Sequence, residues 1–353
     1  MLSEASGVSG YEDEVRDIVC ETFGALSDEV RLDAMGNVIA LGRGEGQMAP
    51  RRRIMLAGHM DEIGLMVTML DEEFLRFTQV GGFDVRTLMG QEVVVHGRRD
   101  LPGVIGSRPP HVLSEQERKK PVPMDKLFVD VGLSREGLEE AVRVGDLITI
   151  RRPFIELQNG LVSGKAFDDR AAVAAIAVCL DELTTLRHQW DVYGVATVQE
   201  EVGLRGAITS TYGIAPDVGI AIDVGFGKQP GVSDEYSIEV DKGPALTIGP
   251  NIHPALHQAL KRVADEHEIP VQVEVDPGGT GTDANAMQVT REGIPTALLS
   301  IPTRNMHTPI ETMSAKDVLR TGRLLARFIA GLDDRFMEQL GWTPESENGG
   351  AEA

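Results

Sequence analysis

The chain is poor in cysteine. Among 353 residues there are two, Cys20 and Cys179, each inside an apolar, helix-like stretch. That leaves no disulfide framework and no thiolate metal cluster, and it predicts free thiols in a reducing, cytoplasmic compartment. No segment approaches the ~18 to 20 consecutive apolar residues that a bilayer-spanning helix needs, so no membrane role is expected. The opening residues, "MLSEASGVSGYEDEV", have neither the basic region nor the apolar core of a secretory signal. Positive charge is also scarce: 34 Lys and Arg stand against 55 Asp and Glu, a net charge of −21. Such a surface repels phosphate backbones and argues against nucleic acid as a partner. Four common catalytic signatures are missing: H-E-x-x-H, the G-x-S-x-G nucleophile elbow, the P-loop and G-x-G-x-x-G. "PGGTGTDANA" is rich in glycine but lacks the lysine of a phosphate loop.

What is present is an alternation of strand-like and helix-like segments. "YEDEVRDIVCETFGAL" carries one apolar stripe at helical spacing, and "NVIALG" and "RRRIMLAGH" read as strands. After residue 153 the alternation is regular. "DDRAAVAAIAVCLDELTTL" precedes "WDVYGVATVQ", a helix around Gly206–Thr211 precedes "DVGIAID", "HPALHQALKRVADEHE" precedes "VQVEV", and "TDANAMQVTRE" precedes "TALLSIP". A long helix, "SAKDVLRTGRLLARFIAGLDD", follows. This is the pattern of an α/β sheet. Between residues 65 and 153 the texture differs: short β-like runs separated by Gly, Pro and charge predict a small β-rich module, with "SREGLEEAVRV" its one helical stretch. The tail, "GWTPESENGGAEA", reads as disordered.

The candidate chemistry lies at the predicted carboxyl ends of strands, where open α/β sheets bind ligands. His59 and Asp61 follow "RIMLAG", Asp168 and Asp169 sit in "GKAFDDR", Glu200 and Glu201 end "VYGVATVQEE", Asp223 ends "VGIAID", and His307 follows "TALLSI". Taken singly, each has a bland reading: a helix cap, a solvated strand end, a turn residue, a hydrogen-bonded structural histidine. Five segments delivering His, Asp or Glu to one edge weaken those readings together, because crowded carboxylates are costly without a cation. Imidazoles with carboxylates suit zinc, cobalt or manganese better than calcium or magnesium. Two imidazoles and three carboxylates suffice for two ions if one carboxylate bridges. A further carboxylate is then free to act as a general base.

Eight stretches in combination, "GHMDEIGLMV", "GVIGSRPPHVL", "VRVGDLITI", "GKAFDDRAAV", "VQEEVGLRGA", "AIDVG", "GTGTDANAMQ" and "RNMHTPIE", resemble the self-compartmentalising metalloaminopeptidases of the TET type. These include glutamyl and leucyl aminopeptidases, and some members carry the name cellulase or endoglucanase. The resemblance implies a three-layer α/β/α zinc-peptidase-like catalytic domain split into 1–64 and 154–337, an inserted barrel-like dimerisation domain at 65–153 and a disordered tail at 338–353. It implies two divalent metal ions per subunit, zinc or cobalt, with manganese also fitting. His59 and Asp223 would hold one, Glu201 and His307 the other, and Asp168 both. Glu200 would be the general base and Asp61 would orient His59. The peptide between Asp168 and Asp169 would be cis. Peptides would be the substrates, and dimers would assemble into a homododecamer. The residues alone add to the Glu200–Glu201 assignment only that adjacent strand residues point to opposite sides. They also leave open a related two-metal deacylase or carboxypeptidase, a glycosidase, and a binding scaffold without activity.

Overall fold

A computed structural model describes residues 1–341. Its centre is an 11-stranded mixed sheet. Four mutually parallel strands form the middle, in the spatial order Asp191–Thr197, Arg53–His59, Val218–Phe226 and Thr296–Arg304. They read as nearly continuous apolar runs because helices cover both faces. Along Arg53–His59 the burial alternates by face, as the pleat requires. Ile54 and Leu56 pack with helices Asp13–Gly24, Phe167–Leu183, Pro254–Glu266 and Ala315–Ala330, while Met55 and Ala57 pack with Arg205–Ile214 and Asp283–Gln288. The architecture is therefore three layers, α/β/α.

Antiparallel strands extend both sides. Val38–Gly42 and Glu29–Leu32 add to one edge. At the other, Thr296–Arg304 carries two branches. Its carboxyl end pairs with Glu311–Ser314, which leads to Leu161–Gly164 and Ile155–Glu156, and its middle pairs with Ala245–Ile248, which leads to Gln272–Val275. Several of these strands have only four residues, too short for a periodicity to stand out in the sequence. The helix expected over "TDANAMQVTRE" is also shorter, Asp283–Gln288, because Thr282 caps its start and Gly293 closes the turn beyond its end with φ 96°.

The β-rich stretch forms a separate closed barrel of six strands, Gly64–Asp71, Phe74–Val80, Phe128–Asp130, Asp100–Gly106, Glu92–His96 and Leu147–Ile150. Its own core includes Leu65, Leu75, Val93, Val95, Val129 and Ile148. The chain leaves the sheet for the barrel just after His59 and returns to it at the strand Ile155–Glu156, so the large sheet is assembled from both flanks of an insertion. At the carboxyl end, the tail expected from residue 338 begins within a short helix, Phe336–Gln339, and Leu340 is buried against the large core. Residues 342–353, the rest of that expected tail, lie outside the described residues. No helix among the described residues is long and apolar enough to cross a membrane.

Candidate active site

Register brings the first residues together. Thr197 pairs with His59, and the pairing of Val218–Phe226 with Arg53–His59 ends at Ala221 and Ala57, so His59 and Asp223 both lie two residues beyond the last pair, with ligand atoms within 4.8 Å of each other. Asp223 in turn pairs with Ser300 on the next strand. The turn after Thr197 then delivers Glu200 and Glu201. Asp168 arrives from the start of the helix Phe167–Leu183, whose second and third residues are still non-helical. The Asp168–Asp169 peptide is cis, as the resemblance implies. His307 comes from the loop between Thr296–Arg304 and Glu311–Ser314. Residues with positive φ cluster around the site: Ala166 at 56°, Gln199 at 54°, Leu204 at 58°, Asn305 at 56° and His307 at 58°. Non-glycine residues hold such values only where surrounding contacts impose them.

Asp168 is the centre of the arrangement. Its Oδ1 lies 3.1 Å from His59 Nε2 and its Oδ2 lies 3.1 Å from His307 Nε2. His307 Nε2 is also 3.6 Å from Glu201 Oε1, and His59 Nε2 is 3.8 Å from Glu200 Oε2. Two groups of three potential ligands result, His59–Asp168–Asp223 and Asp168–Glu201–His307, each with its ligand atoms within 4.8 Å of one another. The groups share Asp168.

Hydrogen bonds test whether this set suits a cation. His59 Nδ1 lies 3.1 Å from the backbone carbonyl of Asp61, which can only accept, so the ring carries its proton there. Nε2 is then left facing a carboxylate oxygen. Two lone pairs at that distance repel unless a proton or a cation lies between them. Imidazole and carboxylate are also the donors that zinc, cobalt and manganese accept. The residues therefore fit divalent metal.

The charges agree. Burial raises the Asp223 carboxyl well above the carboxylate range, and the neighbouring Asp168 raises it further. Burial pushes Glu200 up to about 10, and burial with Asp168 pushes Glu201 up to about 7. Burial works against the charged form of His59, but Glu200, Asp168 and Asp61 outweigh it and raise the ring well above its ordinary value. His307, hydrogen-bonded to Asp168, is raised to about 9. Asp168 is held low by both rings despite its burial. These carboxylates cannot all ionise together without added positive charge.

Asp61 sits directly behind, with a different emphasis from the expected one. Its carboxylate Oδ1 is 3.5 Å from His59 Nδ1, outside good hydrogen-bond range, and it is the backbone carbonyl that meets the ring. The carboxylate accepts instead from the Glu200 N–H at 3.0 Å, the Glu201 N–H at 3.3 Å and the Ser9 hydroxyl at 2.6 Å.

Sequence reasoning missed several supporting residues. Glu311 is fully buried and accepts from the backbone N–H groups of Asp168 and His307, both at 3.0 Å, tying two of the candidate ligands to one side chain. Its place four residues after His307 in "RNMHTPIE" was the available signal. Asp169, named beside Asp168 among the sequence candidates, accepts the His59 N–H at 3.1 Å. Asp283, inside "GTGTDANAMQ", accepts the Thr197 hydroxyl at 2.6 Å, and burial raises it to about 6.

An α/β/α sheet with clustered imidazoles and carboxylates at its carboxyl edge, and a barrel inserted after the first of them, defines a hydrolase of the metal-dependent peptidase class. The model of the M42 glutamyl aminopeptidase family matches residues 36–324, and the chain belongs to that family. It is 42% identical over 329 residues to the lysyl aminopeptidase of Pyrococcus furiosus, covering 92% of this chain and 93% of that protein. Among solved structures, the TET aminopeptidase of a marine-sediment thaumarchaeon superposes with a TM-score of 0.90 at 37% identity, covering 96% and 97% of the two chains. The TET1 peptidase of Pyrococcus horikoshii, described as assembling into a tetrahedron or a large octahedral shell, superposes with a TM-score of 0.82 at 32% identity, covering 94% and 98%.

Proposed function

We propose that this chain is a two-metal aminopeptidase that removes amino-terminal residues from peptides. His59 and Asp223 would hold one ion, Glu201 and His307 the other, and Asp168 would bridge. The observation that carries this reading is Asp168 itself, with a ring nitrogen 3.1 Å from each of its two oxygens. Two bound divalent ions supply polarisation of the scissile carbonyl and easier ionisation of water. Zinc, cobalt and manganese all match these donors.

Glu200 has the remaining role. It belongs to neither ligand trio, yet it lines the same cavity, with its Oε2 3.8 Å from His59 Nε2. We assign it as the base that takes a proton from the attacking water and returns it to the leaving amine. Asp61 fixes its backbone. A TET1 neighbour described as a dodecamer supports assembly into a homododecamer, for which the resemblance implies dimers through the barrel, and the free, at least half-buried Cys20 and Cys179 support a reducing, cytoplasmic setting.

The test pairs activity with metal content. Glu200→Gln should abolish hydrolysis of amino-acyl anilides while keeping about two ions per subunit, and His307→Ala should lose metal as well as activity. Normal turnover in the first variant, or full metal content in the second, overturns these roles. N-acylated and carboxyl-terminal substrates in the same assay separate an aminopeptidase from a deacylase or carboxypeptidase.

A further inference from the structure

The cavity beside the candidate ligands extends beyond them. It encloses about 450 Å³, the size of a small-ligand site, and its lining also includes Leu204, Phe226 and Met306 together with Glu274 and Asp276. The sheet explains how a carboxylate from a distant edge strand enters this space. Asp223 pairs with Ser300, Ser300 with Ala245, and Thr247, two residues on, with Glu274. Alternate residues share a face, so Asp223, Ser300, Thr247 and Glu274 all project from one side of the sheet. Glu274 lies on the outermost of these strands and reaches back over the sheet to Ser300.

Its two oxygens are used differently. Oε2 accepts the Ser300 hydroxyl at 2.5 Å and the Thr247 hydroxyl at 3.3 Å. Oε1 meets no donor among the described residues and lies beside Gly225, where a Cβ would come within 3.2 Å of it. The same Cβ would also meet Ile238 Cδ1 at 2.8 Å and Ser300 Cβ at 2.9 Å, so glycine is what fits beside this carboxylate. Burial pushes the Glu274 carboxyl above its ordinary value, the two hydroxyls offset this in part and Asp276 adds to it, and the carboxylate forms no ion pair among the described residues. Besides the candidate ligands and Glu200, the cavity lining combines apolar side chains with two carboxylates, Glu274 and Asp276. That combination matches a side chain with an aliphatic stem and a cationic head.

We infer that this cavity is the pocket for the first residue of the substrate, and that Glu274 selects basic residues there by accepting their terminal N–H groups on Oε1. Asp276 adds negative charge at the same wall. The inference rests on the aminopeptidase reading for what lies next to the pocket, but its test includes a measurement that needs no turnover.

The experiment has two arms on the metal-loaded protein. In the first, kcat and KM are measured for lysyl, arginyl, leucyl and glutamyl anilides. Lysyl and arginyl substrates should have the highest kcat/KM. Glu274→Gln should lower the lysyl-to-leucyl ratio of kcat/KM at least tenfold, the scale of one hydrogen bond to a charged group, and mainly through KM. In the second, free L-lysine and L-norleucine are titrated calorimetrically. They share a stem and an α-amine and differ in the terminal ammonium, so wild type should favour lysine and Glu274→Gln should erase the difference. A preference for leucyl or glutamyl substrates, or an unchanged ratio in the variant, overturns the assignment. So does equal weakening of lysine and norleucine, which would mean that Glu274 reads the α-amine. If no anilide is cleaved while lysine is still selected through Glu274, the activity reading fails and the pocket assignment stands.

Discussion

Substituting Asp61 by asparagine separates two roles that lie within one side chain of each other. If Asp61 works through His59, the variant loses metal. The structure favours another outcome. The His59 ring is met at 3.1 Å by the backbone carbonyl of Asp61, which asparagine keeps, and the carboxylate is 3.5 Å away. What asparagine disturbs is the cradle under Glu200 and Glu201. Oδ1 accepts the Glu200 N–H and Oδ2 accepts the Glu201 N–H and the Ser9 hydroxyl. Whichever oxygen becomes an NH2 group, one of those two backbone N–H groups then faces a donor. Losing a hydrogen bond to a charged acceptor costs about 1.5–3 kcal/mol. The turn is already held at an unfavourable backbone angle, Gln199 φ 54°, so the loss should appear as displacement of Glu200 rather than as a quiet local adjustment. If most of it reaches the transition state, kcat falls about 10- to 100-fold at ~1.4 kcal/mol per factor of ten. The assay is steady-state kinetics on an amino-acyl anilide, with metal per subunit measured on the same samples. We expect two ions, near-normal KM and reduced kcat. Metal loss, with kcat restored by added metal, would refute the cradle and return Asp61 to His59.

Two further predictions concern the frame around the site. Glu62 is buried between Lys165, whose Nζ lies 2.6 Å from Oε2, and Arg170, whose Nη2 lies 3.3 Å from Oε1. Glu62→Gln leaves two buried cations without their anion and should cost about 3–5 kcal/mol in urea unfolding; a loss below ~1 kcal/mol would show that the backbone carbonyls around Arg170 suffice. Burial already lowers the Lys165 ammonium and Glu62 counteracts that, so in the variant Lys165 sheds its proton more readily and the deficit should shrink as pH rises. Glu12 is raised from 4.5 to about 7 by burial, with Asp61 adding to it. Between these values the folded state binds more protons than the unfolded one, so this group's contribution to stability falls as pH rises through that window and stays lost above it. Glu12→Gln keeps the oxygen that accepts from Gly10 and Gln199 and removes the titration. It should match wild type near pH 4 and exceed it at pH 8 by up to about 3 kcal/mol, and equal unfolding midpoints at pH 8 would contradict the raised value.

Where the sequence was informative, the reason is local. The parallel strands that deliver His59 and Asp223 are bounded by helices with clear apolar periodicity, and each candidate residue lies within its strand or a few positions beyond it. The strand ends were therefore legible as a line of imidazoles and carboxylates before any register was known. Register itself was not legible. That His59 faces Asp223, and that Asp168 arrives with one oxygen toward each histidine, depends on pairings between segments more than 100 residues apart, and composition carries no trace of them. Asp61 shows the limit most clearly. The resemblance implied that it orients His59, two positions away. In the fold its carboxylate turns to the backbone of Glu200, 139 residues away, because the strand Asp191–Thr197 lies parallel beside Arg53–His59 and ends level with it. Glu274 is the same case over a longer path: its carboxylate reaches the cavity across a chain of strand pairs. One of those strands, Ala245–Ile248, has four residues and no recognisable signal. The candidate ligands and the candidate base could be found by type and position near strand ends. Residues that hold them, or select what reaches them, are defined by neighbours on other strands, so they became visible only once the sheet order was known.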